Sequence, residues 1–228
     1  MDAAVPVTRL IWRDTPRLIP SRYPSTGLFD RIASPDDLDA VMELEGWTND
    51  RISAELGQLH VLPREEWVTG RPMASVVMAA FCHPHPGGTR FGSSERGVWY
   101  AARRLDTSIA EAAFHRWREL EEVGISDARV EMRLYRADFR ASFHDIRGGA
   151  VRFRPLLNPS SYAASQAFAA GLLSSGSHGI VYPSVRDPDG ECLACFRPRL
   201  VHNVRAAAHF VFEWHGRQQP RITRSRVS

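Results

Sequence analysis

Two stretches alternate apolar and polar positions as half-buried strands do: VEMRLYRAD at 130–138 and AAHFVFEWHG at 207–216. GVWYAA reads as a further short strand, and GIVYPSV and LACFRP as two more. The last two are joined by the turn-rich DPDGE, which suits a hairpin. A period near 3.6 governs DTSIAEAAFHRWRELEEVG, where Ile109, Ala113, Phe114, Trp117 and Leu120 share one face. Asp106 can cap that helix and Gly124 can stop it. NPSSYAASQAFAAGLLSSG reads as a second helix, with Asn158 as cap and Pro159 at its start. The acidic stretch SPDDLDAVMELEGWTNDRISAELG looks helical as well, with Ser34 as cap and Pro35 following.

Strands and helices are mixed without a βαβ rhythm, which predicts an α+β fold with a mixed sheet core and flanking helices. Three regions separate along the chain. Residues 1–80 are an N-terminal strand or loop, including the basic RLIPSRYP, and a helical insertion; residues 81–215 are the core; residues 216–228 are a polar, arginine-rich tail expected to be disordered. The whole reads as a single domain.

Composition narrows the class. With 228 residues, 43% of them hydrophobic, the chain can bury a core without staples. Three cysteines, Cys82, Cys192 and Cys195, are too few and too odd in number for a disulfide framework, which points to a reducing compartment, the cytoplasm. No run approaches the roughly 20 apolar residues of a membrane span, and the N-terminus lacks the pattern of a signal peptide. The net charge is only +3, yet all 29 basic residues are arginines. A bias in coding explains this blandly; a use for guanidinium forks on phosphate is the functional alternative. The arginines are dispersed among acids, so no direct nucleic-acid binding is expected.

Candidate chemistry is sparse. Glu111 and His115 lie four apart on the polar side of their helix, either as a solvated face with Arg118 and Glu122 or as a carboxylate delivered to a cleft. The loop GGTRFGSSERG is neither a Walker A loop nor a dinucleotide fingerprint. Cys192 and Cys195, three apart on a strand, would point to opposite faces, so no metal site is expected from them with Cys82, His83 and His85. Ser184 lacks the G-x-S-x-G elbow of a hydrolase nucleophile.

In order, however, these pieces resemble the RES domain, a family named for its Arg, Glu and Ser. The carriers are Arg22-Tyr23, Gly88-Thr89-Arg90-Phe91, Tyr100, Glu111 in DTSIAE, Tyr162 and Gln166 in SYAASQAF, and Tyr182-Pro183-Ser184-Val185-Arg186. The family's glycine loop usually carries Trp-Asn where Phe91 and Gly92 stand here. The long separation of Arg22 from Arg90 marks a longer subfamily with the insertion at roughly 35–80.

The resemblance implies a fold similar to ADP-ribosyltransferases and a toxin that consumes NAD⁺ as its substrate, without a metal. It is neutralised by an Xre-like antitoxin. The toxin breaks the nicotinamide–ribose bond and passes ADP-ribose to phosphate or water, or alternatively to a side chain of a host protein. On this reading Glu111 supports the oxocarbenium-like ribose. Arg90 clamps the pyrophosphate with help from Arg22, and Tyr23 and Tyr100 stack on the nicotinamide or hold the ribose. Ser184 bonds the nicotinamide or a phosphate, His115 orients Glu111 or the acceptor, and Tyr162 and Gln166 join the NAD⁺-binding set. A non-catalytic binding module is the alternative of a different class, and a nuclease toxin is disfavoured for want of a concentrated basic surface.

Overall fold

The computed structural model describes residues 4–21, 27–32, 34, 36–38, 40, 56, 59–148 and 151–225. Seven strands form one mixed sheet: β1 (Val7–Pro20), β2 (Trp99–Ala102), β3 (Asp127–Asp145), β4 (Gly179–Pro183), β5 (Glu191–Cys195), β6 (His202–His215) and β7 (Arg221–Ser225). The α-helices bounded among the described residues are α1 (Leu28–Arg31), α2 (Ala74–Cys82), α3 (Leu105–Glu122) and α4 (Ala163–Ser174). The sheet order is β2-β5-β4-β3-β6-β7, with β1 paired to the opposite edge of β3. β4 runs parallel to β3 through His144 and Asp145, and every other strand pairing is antiparallel. The fold is α+β, as the pattern predicts.

Strand β3 is longer than its alternation suggests because it serves two cores in turn. Its first half buries Met132 and Leu134 with Phe210, Phe212 and Trp214, beneath Ile109, Ala113, Trp117 and Leu120 of α3. Its second half buries the odd positions Ala137, Phe139, Ala141 and Phe143, in a core shared with Val77, Met78 and Phe81 of α2. Changing sides breaks the period-2 signal while the backbone stays extended. A third core joins Ile180, Tyr182, Cys192 and Ala194 to Phe91, Val98 and Ala169. Each fully buried Phe or Leu contributes roughly 1.5–3 kcal/mol, so these cores hold the sheet against which the site is built.

Helix α3 departs from expectation at its start. Arg104 is the capping residue and makes no side-chain cap, while Asp106 lies within the first turn, where its charge still faces the positive end of the helix dipole. The stop is as expected. Gly124 has φ +71, and the amides of Gly124 and Ile125 bond the carbonyls of Glu121 and Leu120. Phe114 does not join the apolar stripe in the core; its ring lies under a guanidinium instead, as described below.

Helix α4 also begins later than the sequence suggests. Asn158 Oδ1 accepts from the amides of Ser160 and Ser161, which makes a local turn, and the helix starts at Ala163 behind Tyr162. The tail expected to be disordered contains β7, which pairs with β6 from His209↔Ser225 to Glu213↔Arg221. The unpaired edge of β6 supplies the backbone partners that this polar sequence needs to become a strand.

Ser34 caps as predicted: its Oγ accepts from the Asp37 amide at 3.2 Å, and Asp37 Oδ2 accepts from the Ser34 amide at 2.9 Å. Pro35 and most of the helical reading of 34–57 lie outside the described residues. Glu66, only 8% exposed, binds both Arg96 (2.6 Å) and Arg197. This brace ties the segment before α2 to the end of the glycine loop and to the residues after β5.

Candidate active site

The glycine loop folds back on itself. Gly88 has φ +68, Thr89 N donates to Gly92 O at 2.9 Å, and the return bond from Gly92 N is 3.4 Å. Arg90 and Phe91 therefore sit at the tip of a tight reversal. Two distant side chains hold that tip. Gln166 of α4 donates to Gly87 O (3.2 Å) and Thr89 O (3.1 Å). The Tyr100 hydroxyl accepts from Phe91 N (2.8 Å) and shares a hydrogen bond with Thr89 Oγ1 (2.9 Å). Burial pushes the Tyr100 phenol up to about 12, so it stays protonated and acts here as a strut for the loop. Phe91 packs edge-on to Tyr182 at 4.9 Å.

Arg90 is 8% exposed. Its Nη1 donates to Leu156 O (3.0 Å) and Asn158 O (2.9 Å), and its guanidinium lies 4.8 Å from the Tyr162 ring centroid. The Tyr162 hydroxyl is buried and interacts with the Arg186 guanidinium.

Glu111 arrives from the second turn of α3 and meets Ser184 just past the end of β4. Ser184 Oγ donates to Glu111 Oε1 at 2.6 Å and accepts from the amides of Arg186 (3.1 Å) and Asp187 (3.0 Å). A hydroxyl has one proton and two lone pairs, so Ser184 is fully committed. It orients Glu111 and has no donor left for a nicotinamide or phosphate. The turn beyond it is pinned to α3: Asp187 Oδ2 accepts from Thr107 Oγ1 (2.6 Å) and from Arg104 Nη2 (3.2 Å). These bonds, that to Thr107 foremost, hold the Asp187 carboxyl below its usual range.

His115 Nε2 lies 3.8 Å from Glu111 Oε2. Although the side chain is 45% exposed, crowding by the protein, and then the charges of Arg186, Arg116, Arg90 and Arg118, push the imidazole down to about 4. It is neutral at neutral pH, so its contact with Glu111 is not an ion pair there.

The structure thus brings Arg90, Tyr100, Glu111, His115, Tyr162, Gln166 and Ser184 into one connected set. Arg22 and Tyr23 lie outside the described residues. Arg186 was visible in the Tyr-Pro-Ser-Val-Arg string but carried no assigned part. Its guanidinium stands 3.3 Å above Phe114 and its Nη2 donates to Pro159 O (2.8 Å). Cys192 and Cys195 are buried in different cores on opposite sides of β5, which removes the pair as a chelate. An apolar hollow of about 70 Å³ behind the loop, lined by Phe91, Val98, Ala169 and Phe196 among others, is small against the roughly 300–1,000 Å³ of ligand sites and touches neither Glu111 nor Ser184.

Fold and site define an α+β protein whose sheet end carries a serine-held carboxylate ringed by arginines. The chain belongs to the RES-domain family: the RES domain matches residues 62–215, more than half of its length. It is similar to the uncharacterized protein y4oC of Sinorhizobium fredii, 25% identical over 203 residues that cover 88% of this chain and 82% of the relative. It also aligns with a chain in the crystal structure of the M. tuberculosis MbcT–MbcA toxin–antitoxin complex, at 12% identity and TM-score 0.44, covering 87% of this chain and 86% of that one.

Proposed function

We propose that this chain cleaves the nicotinamide–ribose bond of NAD⁺ and passes ADP-ribose to phosphate or water, as the toxin of a toxin–antitoxin pair. The observation that carries the reading is the Ser184–Glu111 bond, set beside Arg90 and Arg186, whose charges both act on His115. When the bond breaks, its electron pair leaves with the nicotinamide nitrogen and the ribose C1′ becomes cationic. Glu111, fixed by Ser184, is the one carboxylate in the set and can stabilise that charge without reorganising. An acceptor oxygen then bonds to C1′. If the acceptor is water, its proton passes to solvent and the product is free ADP-ribose; if it is phosphate, the product is an ADP-ribose phosphate.

Tyr100 and Gln166 act through the loop they brace, keeping Arg90 at its tip. The family resemblance supports the toxin role and an Xre-like antitoxin as partner, with residues 81–215 as the catalytic core and residues 1–80 packed on it. Among the described residues no helix is long and apolar enough to cross a membrane, and all three cysteines are free, in keeping with action in the cytoplasm.

The test is purified protein with NAD⁺, with and without phosphate, products followed by mass spectrometry. Nicotinamide with a phosphate-dependent ADP-ribose phosphate supports phosphorolysis, and nicotinamide with free ADP-ribose supports hydrolysis. If ADP-ribose appears only on protein after lysate is added, the acceptor is wrong and the transferase takes its place. No NAD⁺ loss in any condition overturns the reading.

A further inference from the structure

Arg90 and Arg186 come from loops far apart in sequence, yet both anchor to one short segment. Arg90 Nη1 takes the carbonyls of Leu156 and Asn158, and Arg186 Nη2 takes that of Pro159. Each guanidinium spends one terminal nitrogen on this anchorage. Neither has a carboxylate within ion-pair distance among the described residues, although Glu111 acts on Arg186 electrostatically. Between them sits Tyr162. Its ring lies 4.8 Å from Arg90, and its buried hydroxyl bears on the Arg186 guanidinium. Phe114, turned out of the apolar stripe, supports Arg186 from below at 3.3 Å.

Folding gains little from this arrangement. Two partly desolvated cations with no carboxylate within ion-pair distance among the described residues cost free energy until something anionic arrives. Burial also lowers the Arg186 pKa from its ordinary value, the mark of a cation short of solvation. Arginine forks suit phosphate oxygens bidentately, and two forks either side of one hydroxyl donor match two linked phosphate groups.

We propose that Arg186 and Arg90 form a two-guanidinium clamp around Tyr162 that grips the diphosphate of the substrate beside Glu111. This rests on the NAD⁺ reading above and extends it: Arg186 and the Tyr162 hydroxyl become binding groups, and the site requires a dinucleotide diphosphate in place of a single phosphate. Nicotinamide mononucleotide, with one phosphate, should be a poor substrate.

The experiment measures two quantities on wild type, Arg186→Gln, Arg186→Lys and Tyr162→Phe. One is ADP affinity by calorimetry, which needs no turnover; the other is nicotinamide release against NAD⁺ concentration. Loss of a charged hydrogen bond predicts a fall of about 10- to 100-fold in ADP affinity for Arg186→Gln. A matching rise in KM should accompany it, with kcat much less affected. Arg186→Lys keeps the charge over Phe114 but loses the fork, so it should fall between, and it serves as the test if the Gln variant fails to fold. Tyr162→Phe should lose several-fold in ADP affinity, because it removes the hydroxyl set between the two guanidiniums.

Unchanged ADP affinity and KM in a folded Arg186 variant would overturn the clamp while leaving NAD⁺ cleavage intact. Arg186-dependent ADP binding by a protein that releases no nicotinamide would do the reverse, keeping the clamp and removing the proposed reaction. Equal turnover of nicotinamide mononucleotide and NAD⁺ would also overturn the clamp.

Discussion

Ser184 Oγ stands 2.6 Å from Glu111 Oε1 and donates its only proton to it, while two backbone amides occupy its lone pairs. The serine and glutamate of the RES pattern are therefore one unit, in which serine fixes the carboxylate. Ser184→Ala should cost about 1–3 kcal/mol of stability, because three partners lose their hydrogen bond. It should lower kcat far more than it raises KM for NAD⁺. Urea unfolding together with steady-state kinetics separates the two effects, and a pure KM effect would return Ser184 to direct substrate contact.

The Thr107–Asp187 bond pins the Ser184 turn to α3. Thr107→Val should cost about 1–2 kcal/mol at neutral pH. The Asp187 pKa is lowered in the folded state, so this stabilisation is fully present above the unfolded value of 3.8 and is lost as pH falls through the lower folded value. The stability difference between variant and wild type should accordingly shrink in acid. A difference that stays constant down to the folded pKa would show that the bond does not hold a charged Asp187.

His115 titrates in the opposite chemical sense but with the same slope. Its folded pKa, near 4, lies below the unfolded 6.5. Between these values the unfolded chain binds a proton that the folded one refuses, so stability falls as pH drops from about 6.5 towards 4. His115→Gln should flatten that part of the stability–pH curve. The His115 ring signals followed by NMR should titrate with a midpoint well under 6; a midpoint near 6.5 would mean the neighbouring guanidiniums do not govern it.

The glycine loop offers a paired test. A Cβ at Gly88 would meet Gln166 Nε2 at 2.6 Å and Gly92 O at 2.7 Å, whereas at Gly124 it would meet nothing within 4 Å. Both residues have a positive φ, +68 and +71, so each alanine variant pays about 1–2 kcal/mol for a left-handed conformation. Only Gly88→Ala should also displace Gln166 and cut NAD⁺ turnover at least about tenfold. Equal turnover in the two variants would remove the loop from the site.

Legibility tracked how local each signal is. The β4–β5 hairpin, the Gly124 stop and Glu111 beside its helix's apolar stripe follow from periods and turn residues, and all stand where the pattern places them. Strand β7 was invisible because RITRS carries no period of its own; the free edge of β6 makes it a strand. The caps at Asp106 and Asn158 failed because an extended Arg104 and a local turn at Ser160–Ser161 took their places. Phe114 looked like core by spacing alone. Only the return of the chain at Arg186 shows why that ring is turned aside, and with it the part Arg186 plays.

The most direct measurement is nicotinamide release from NAD⁺ by wild type and by Glu111→Gln, with circular dichroism showing both folded. The substitution keeps the shape and can still take the Ser184 hydrogen bond, but removes the one charge placed to stabilise the ribose cation. Wild type should release nicotinamide and the variant should lose about a hundred- to a thousandfold of that rate, the range seen when a pre-organised electrostatic group is removed. Near-normal release by a folded Glu111→Gln protein would contradict this role for Glu111.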